Sequence, residues 1–265
     1  MSVSTIMMAG RRTRLGLRDR LHAAAWHLAI SALVAALVLG LVYGLWYPAP
    51  LDSVSGVQQI LLLLLAVDVS IGPLLTFIVF NRQKKSLRID LALIALAQCL
   101  ALALGLQTVE AGRPLFLVFT VDRFDVIARS DLRAKDLGQA ADNPAAQGDW
   151  FGPTLIAVVQ PESMAEREAI MTESVTGGRD LQHYPHLYRE LASSREAMVA
   201  AGQSIADLRK LNVDATALLD QALIALGRDE ASVRFVPVKG FSDDAAMLID
   251  SATGEPLKML GLKPW

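Results

Sequence analysis

Three long hydrophobic stretches, separated by short polar ones, occupy most of the first 110 residues. They run from about 26 to 47, from 60 to 80 and from 89 to 107. An α-helix that rises 1.5 Å per residue needs about 20 such residues to cross a hydrocarbon core. The first stretch has 22 residues without a formal charge and ends on aromatic residues, unlike the shorter core of a secretory signal peptide. The pattern therefore predicts three transmembrane helices.

Basic residues flank these stretches unevenly. Five arginines precede the first, none of the residues 48–59 is Lys or Arg, and four basic residues separate the second from the third. They are Arg11, Arg12, Arg14, Arg18 and Arg20, then Arg82, Lys84, Lys85 and Arg88. Because basic loops stay in the cytoplasm, the counts predict a multi-pass membrane protein with a cytoplasmic N-terminus, three crossings, and everything after about residue 110 on the far side of the membrane. If the cell is a Gram-negative bacterium, that far side is the periplasm.

The remainder of the chain changes character and alternates strand-like and helix-like segments. We expect strands at residues 115–121, 124–128, 155–159, 233–238, 245–250 and 257–260, and helices at 162–174, 186–201 and from a cap at Asp214 to about 226. Residues 136–150, rich in Ala, Asp, Gly and Gln, predict a surface loop. Strands, then helices, then strands again favour an α+β domain.

The predicted organisation has three parts. Residues 1–25 form a cytoplasmic basic N-terminal extension, residues 26–109 a three-helix transmembrane region, and residues 110–265 a periplasmic α+β domain.

The whole chain has a net charge of −2, and its last part has 16 basic and 23 acidic residues. Since a nucleic-acid binder usually has a basic domain, we expect no nucleic acid as a partner. One cysteine, Cys99, excludes an internal disulfide.

Candidate catalytic chemistry is sparse. Only four histidines are present, and the pair His183 and His186 is interrupted by Pro185, which opposes a metal-binding helix. The chain has no phosphate-binding loop, nucleophile elbow or zinc-protease motif. We therefore expect no metal, no cofactor and no enzymatic activity.

Asp68 is the one acidic residue well inside a hydrophobic stretch. An ionisable group there costs roughly 2.5–3.5 kcal/mol on insertion scales and needs a partner. Gln98 lies at a similar depth, roughly 14 Å from the end of its helix against roughly 18 Å for Asp68. Two interpretations stay open: an internal hydrogen bond to Gln98, or contact with a further membrane helix. The neighbouring Gly72 and Pro73 predict a kink or a close helix contact.

Several short motifs together resemble the type IV pilin accessory proteins (TfpX/TfpZ family). The resemblance extends over nearly the whole chain from Trp26 onward. Its motifs are VDVSIGPLLT at 67–76, VFN at 79–81, KKSLRID at 84–90, FTVDRF at 119–124, GGRDL at 177–181 with Pro185 and Tyr188, VPV at 236–238, Asp250 with Thr253 and Gly254, and the terminal Pro264 and Trp265. Each motif is common, but the combination is specific.

The resemblance implies a non-enzymatic, chaperone-like accessory protein of the bacterial inner membrane that binds a cognate type IV major pilin and supports its stability, assembly or surface display. The lipid bilayer and other pilus assembly components are further expected partners. Implied membrane contacts are Asp68, Gly72, Pro73 and Gln98, and implied periplasmic contacts are Asp122, Arg123, Phe124, Gly178, Asp180 and Tyr188. The periplasmic residues have an equally ordinary interpretation as turn, ion-pair and core residues. A membrane-anchored periplasmic ligand-sensing protein is the alternative, although its cytoplasmic part is short.

Overall fold

The computed structural model describes residues 3–265, with side chains from residue 16 onward. Arg11, Arg12 and Arg14, on which the predicted orientation partly rests, lie outside the described side chains. The chain divides into two compact units. The first unit consists of the chain up to Leu41 together with Gln58–Val109, and the second unit consists of Val42–Val57 together with Glu110–Trp265.

The first unit is made of long apolar helices. They are α1 (Val3–Leu41), α3 (Val57–Val79) and α4 (Leu87–Ala111). Between α1 and α3 lie a π-helical turn that continues α1 (Val42–Trp46) and the short helix α2 (Leu51–Ser55), and both of these belong to the second unit. Three segments are long and apolar enough to cross a membrane, with hydropathies of 2.5, 2.3 and 2.2: Gly16–Trp46, Val57–Val79 and Leu87–Ala111. Three such helices were predicted, and they are confirmed. Each begins before the hydrophobic stretch does, because helical hydrogen bonds continue through polar residues.

The second unit is built around one mixed sheet. Its strands are β1 (Pro114–Phe119), β2 (Phe124–Ala128), β3 (Thr154–Val158), β4 (Tyr188–Glu190), β5 (Gln203–Ser204), β6 (Val233–Lys239), β7 (Ala245–Asp250) and β8 (Pro256–Leu260). The spatial order is β4-β3-β1-β2-β6-β7-β8, and β5 pairs with β6. The pairs β1–β3 and β2–β6 are parallel, and the other pairs are antiparallel. This sheet and its helices confirm the expected α+β class.

Five helices accompany the sheet and cover both of its faces. They are α5 (Ala134–Gln139), α6 (Met164–Gly177), α7 (Arg195–Ala201), α8 (Ile205–Leu211) and α9 (Thr216–Leu226). Alternate residues of β1 enter different apolar clusters, Phe116 and Val118 in one and Leu117 and Phe119 in the other. Since successive strand side chains point to opposite faces, β1 is covered on both sides. This explains its continuous apolar sequence.

The connection between the first two apolar helices packs into the core of the second unit. Leu51 and Val54 of α2 are 2% and 0% exposed and share a cluster with Phe124. The carbonyl of Val54 accepts hydrogen bonds from the backbone amides of Phe241 and Ser242, each at 3.0 Å. Because this connection and residues 110–265 form one compact unit, they lie on the same side of any membrane that the helices cross.

Three local expectations in the second unit are wrong. Residues 186–194 form short 3₁₀ turns around β4 instead of a helix, because Tyr188 is fully buried and its segment pairs with β3. Asp214 lies within a 3₁₀ turn and does not cap α9, which begins at Thr216. The predicted loop at 136–150 includes most of α5, and its Asp136 is buried.

Candidate functional site

Polar side chains of the three apolar helices form a connected polar network, consisting of His27, Asp68, Thr76 and Gln98. The Nε2 amide of Gln98 donates to Oδ1 of Asp68 at 3.1 Å and to the Asp68 carbonyl at 3.0 Å. The imidazole of His27 lies 2.7 Å from Oε1 of Gln98 and 2.6 Å from Oγ1 of Thr76. The expected hydrogen bond between Asp68 and Gln98 is therefore present, and it extends to a histidine that the sequence analysis did not include.

The direction of donation in the polar network follows from the Gln98 amide. Because its NH₂ group donates to Asp68, its oxygen must accept from Nε2–H of His27. The other nitrogen, Nδ1, lies within hydrogen-bonding distance of the Thr76 hydroxyl, which can both donate and accept. Each of these side chains thus has a hydrogen-bond partner, as polar groups in an apolar environment require.

Gly72 provides the space in which Gln98 crosses to Asp68. A Cβ atom at Gly72 would lie 2.1 Å from Nε2 and 2.6 Å from Cδ of Gln98. Gly72 and its neighbour Pro73, inside α3, are both buried. The close helix contact that the sequence predicts at this point is present. All four sequence-predicted membrane residues therefore lie in or beside the polar network.

The sequence-predicted residues Asp122, Arg123 and Phe124 lie at the β1–β2 hairpin. Phe124 is fully buried, with its ring centroid 5.4 Å from that of Phe119. Arg123 Nε lies 3.4 Å from Oδ1 of the buried Asp125, whose pKa is raised because burial penalises its charged form. Asp122 is 70% exposed and Arg123 is 37% exposed in their side chains. Only these two of the three can meet a partner.

The second predicted group, Gly178, Asp180 and Tyr188, belongs to the segment between α6 and β4. Gly178 ends α6 in the left-handed conformation, with φ of 69°. Asp180 accepts a hydrogen bond from the Leu181 amide at 2.7 Å and caps the following turn. The Tyr188 hydroxyl donates to the Gln182 carbonyl at 2.5 Å, and burial raises its pKa. These residues set the conformation of the segment; Gly178 and Asp180 are exposed, and Asp180 is the charged one.

A buried ion pair that sequence reasoning missed holds the same segment. Arg179 Nη2 lies 2.5 Å from Oδ2 of Asp136, with the two side chains 10% and 8% exposed. The Arg179 guanidinium also lies 5.0 Å from the ring centroid of Tyr184. Burial, together with donation to Glu173 at 2.6 Å, raises the pKa of Tyr184 to about 12. The sequence analysis missed Asp136 because residues 136–150 have the composition of a loop. Its partner Arg179 lies within the motif at 177–181, but nothing in the sequence connects the two positions.

The two groups of predicted residues in the second unit, at 122–124 and at 178–188, do not form one polar site. None of the hydrogen bonds or ion pairs between described residues links the β1–β2 hairpin to residues 178–188. Among the described residues, no three His, Cys, Asp or Glu side chains are grouped so as to hold a metal ion. His186 instead lies 2.7 Å from Oε1 of Glu166. The arrangement offers exposed charges for contact with another protein.

Comparison with known proteins places this architecture in a family. Residues 16–56 match the family described as "Fimbrial assembly protein FimB". Three relatives come from Dichelobacter nodosus. The fimbrial assembly protein of serogroup I is 34% identical over 70% of this chain and 73% of its own length, and that of serogroup E1 is 32% identical over the same shares. The protein of serogroups C1 and C2 is 37% identical over 43% of this chain and 88% of its own length. No solved structure matches. The chain belongs to the family of fimbrial assembly proteins.

Proposed function

We propose that this protein acts in pilus assembly as an accessory protein of the inner membrane that binds a cognate type IV pilin and catalyses no reaction. Its binding would support the stability, assembly or surface display of that pilin. The observation that carries the proposal is membership of the fimbrial assembly family, with 34% identity to a relative over 73% of the relative's length. The family name supports a role in assembly, and pilin binding is the finer step that we add.

The two units suit a partner that has a membrane part and a folded part. The first unit has apolar helices with an internal polar network, and the second has an α+β domain with exposed charges. We propose that the N-terminus is cytoplasmic and that the second unit is periplasmic. Both segments of the second unit, Val42–Val57 and Glu110–Trp265, then lie in the periplasm. The lack of Lys and Arg at 48–59 supports this orientation.

Contact in the membrane would use the carboxylate of Asp68. Its Oδ1 accepts from Gln98, and a second oxygen gives it further capacity to accept a hydrogen bond. An amine or another donor on a pilin helix is the matching group, because ionisable side chains at this depth seek such partners. Gln98, Gly72 and Pro73 would then position Asp68.

Contact outside the membrane would use exposed charges at the two sequence-predicted groups. Asp122 and Arg123 lie at one and Asp180 at the other. The buried Phe124 and Tyr188 would support these surfaces from inside the domain, and Gly178 would set the chain direction before Asp180. Since the two groups are separate, we treat them as independent contacts with the pilin head.

The test is deletion of the gene, followed by measurement of surface pili, total pilin and pilin transcript. We expect loss of surface pili with an unchanged transcript, and recovery with the wild-type gene. Asp68→Asn keeps a side-chain oxygen for Gln98 but removes the charge, so we expect it to lower surface pili several-fold. The matched control is Asp90→Asn, which removes a carboxylate at the start of α4 that pairs with Lys84 at 2.5 Å. Normal pili in the deletion strain would contradict the proposal.

The outer contacts are best tested by point variants. Deleting residues 110–265 would uncover Leu51 and Val54, which pack into that part of the chain. Asp122→Lys and Asp180→Asn change exposed charges without touching the core, and the Asn oxygen can still accept from the Leu181 amide that Asp180 caps. We expect each to reduce crosslinking to the pilin. Lys258→Glu, on the edge strand β8, is the charge-reversal control. Crosslinking that is unaffected by either variant would place the contact elsewhere.

A further inference from the structure

The exposed Trp and Phe side chains of the second unit share an unusual location. Trp150, Phe151, Phe241 and Trp265 are 49%, 69%, 51% and 55% exposed, and they are the exposed Trp and Phe residues of this unit. Other rings, such as that of Phe116, are fully buried. We call these four residues the aromatic edge.

Trp150 lies beside two of the points where the chain passes between the second unit and the apolar helices. Arg113, two residues after the end of α4, donates to the carbonyls of Asp149 and Trp150 at 2.8 and 3.0 Å. Its guanidinium lies 5.2 Å from the Trp150 ring centroid. Trp46, at the end of the first apolar segment, packs edge-on against Trp150 with centroids 5.5 Å apart. Phe151 is the next residue.

Phe241 and Trp265 lie beside the connection between the first two apolar helices. The Phe241 amide donates to the carbonyl of Val54, three residues before α3 begins. The Trp265 indole donates to Oδ2 of Asp244 at 2.8 Å, in the same β6–β7 turn that includes Phe241. The aromatic edge therefore borders every point at which the second unit is covalently joined to a membrane-spanning helix.

We propose that the aromatic edge inserts into the headgroup region of the lipid bilayer. Aromatic side chains concentrate at membrane interfaces, because the ring is apolar while the indole N–H remains in a polar layer. The chain junctions keep these four side chains close to the membrane surface that the helices enter. Domains in water mostly bury such rings, and this unit buries its other Trp and Phe side chains.

Insertion of the rings, and not attraction between charges, supplies the binding. Asp149 and Asp244 adjoin the aromatic edge, and Lys263 is two residues from Trp265. Acidic neighbours disfavour anionic headgroups, so a basic patch does not drive the contact. We therefore expect the depth of insertion to change little between low and high salt.

The experiment measures depth by spin labelling of the full-length protein in vesicles of phosphatidylethanolamine and phosphatidylglycerol. In a Cys99→Ser background, single cysteines replace Phe151, Phe241 or Trp265 and bear a nitroxide. Oxygen, which partitions into lipid, and a nickel chelate, which stays in water, compete to relax each label. The control is Val121→Cys, since Val121 is 71% exposed and lies at the opposite end of β1 from Arg113, roughly 20 Å away.

We expect labels on the aromatic edge to favour oxygen over the nickel chelate by several-fold relative to the label at 121, at both salt concentrations. Equal access of the chelate to all four labels would overturn the proposal. Protection of the edge labels from both reagents would also overturn it, because a protein contact, such as a second copy of this chain, would then cover the edge. As a second measurement, Phe151→Glu combined with Phe241→Glu should expose the label at 265 to the chelate.

Discussion

The two units of this protein differ in how much of their apolar side-chain surface they bury. The three apolar segments bury few of their side chains. Of the most hydrophobic 18-residue stretch in each segment, 17%, 17% and 0% is buried, and Leu37, Leu62 and Leu104, for example, are 66%, 73% and 65% exposed. The contact that all three helices share is the polar network. The second unit encloses an apolar core, with Phe116, Phe124 and other side chains fully buried.

The difference shows how the surroundings decide which groups hold a fold together. Among lipid chains, apolar side chains gain little from meeting one another, so packing at small residues and hydrogen bonds between helices give the contacts their specificity. In water, burial of apolar surface is the main favourable contribution. Charged groups in the second unit's core have polar partners, as Arg179 and Asp136 do in their ion pair.

The largest expected loss of stability comes from breaking the ion pair between Arg179 and Asp136. Arg179→Met leaves the Asp136 carboxylate buried without its counter-charge, so we expect the free energy of unfolding to fall by about 3–5 kcal/mol. Urea unfolding of the full-length protein in detergent measures it. The control is Arg209→Met, whose partners Asp220 and Glu230 are 52% and 45% exposed, and it should cost less than about 1 kcal/mol.

A double variant sharpens the same comparison. Arg179→Met combined with Asp136→Leu removes both charges and should recover most of the loss, since a buried pair replaced by apolar groups is often neutral. A double variant as unstable as Arg179→Met alone would mean that packing around the guanidinium, and not the uncompensated charge, dominates.

The next effect tests whether the connection between the first two helices is part of the second unit's core. Leu51→Ala removes a side chain that is 2% exposed, and we expect a loss of about 2–4 kcal/mol in the same urea measurement. Leu211→Ala, at 45% exposure, is the matched control and should cost much less. Equal costs would contradict the assignment of this connection to the second unit.

A smaller effect is expected at the helix contact of the first unit. Gly72→Ala places a methyl group 2.1 Å from the Gln98 amide, and such overpacking costs about 1–3 kcal/mol. Gly40→Ala is the control, because a Cβ there would meet nothing within 4 Å. The measurement is the unfolding of Gly72→Ala and of Gly40→Ala in mixed micelles that contain an increasing fraction of dodecyl sulfate. Similar curves for both variants would show that Gln98 moves aside without loss of the polar network.

The smallest effect concerns the dependence of stability on pH. Burial raises the pKa of Asp125 in the folded state, so its contribution to stability is present below the unfolded pKa and is lost as pH rises through the folded pKa. Asp125→Asn should therefore flatten the decline in unfolding free energy between pH 4 and pH 7.

The pKa of Asp250 is shifted in the opposite direction from that of Asp125, so its effect on stability should change with pH in the opposite direction. Hydrogen bonds from the backbone of Thr253 and Ala252 lower its pKa. Its contribution is present above the unfolded pKa and is lost as pH falls through the folded pKa. Asp250→Asn should therefore lower stability at pH 7 and have little effect in acid. The same change of slope in both variants would contradict these assignments.

The sequence alone determined the features that depend on local composition and period. Long uncharged stretches specify membrane-spanning helices wherever they lie in the chain, and the continuous apolar runs at 115–119 and 245–249 specify buried strands. The depth of Asp68 and Gln98, measured along two helices, made their hydrogen bond one of two interpretations, and the structure contains that bond. These patterns need no knowledge of distant neighbours.

Only the tertiary structure decided which distant residues meet. Tyr188 became part of a strand because β3 offers it an unpaired edge and an apolar cluster, against the helical pattern of its own segment. Asp136 and Arg179, 43 residues apart, and His27 and Gln98, 71 apart, pair because folding brings their elements together. Contacts over such separations depend on topology and packing, which local patterns do not encode.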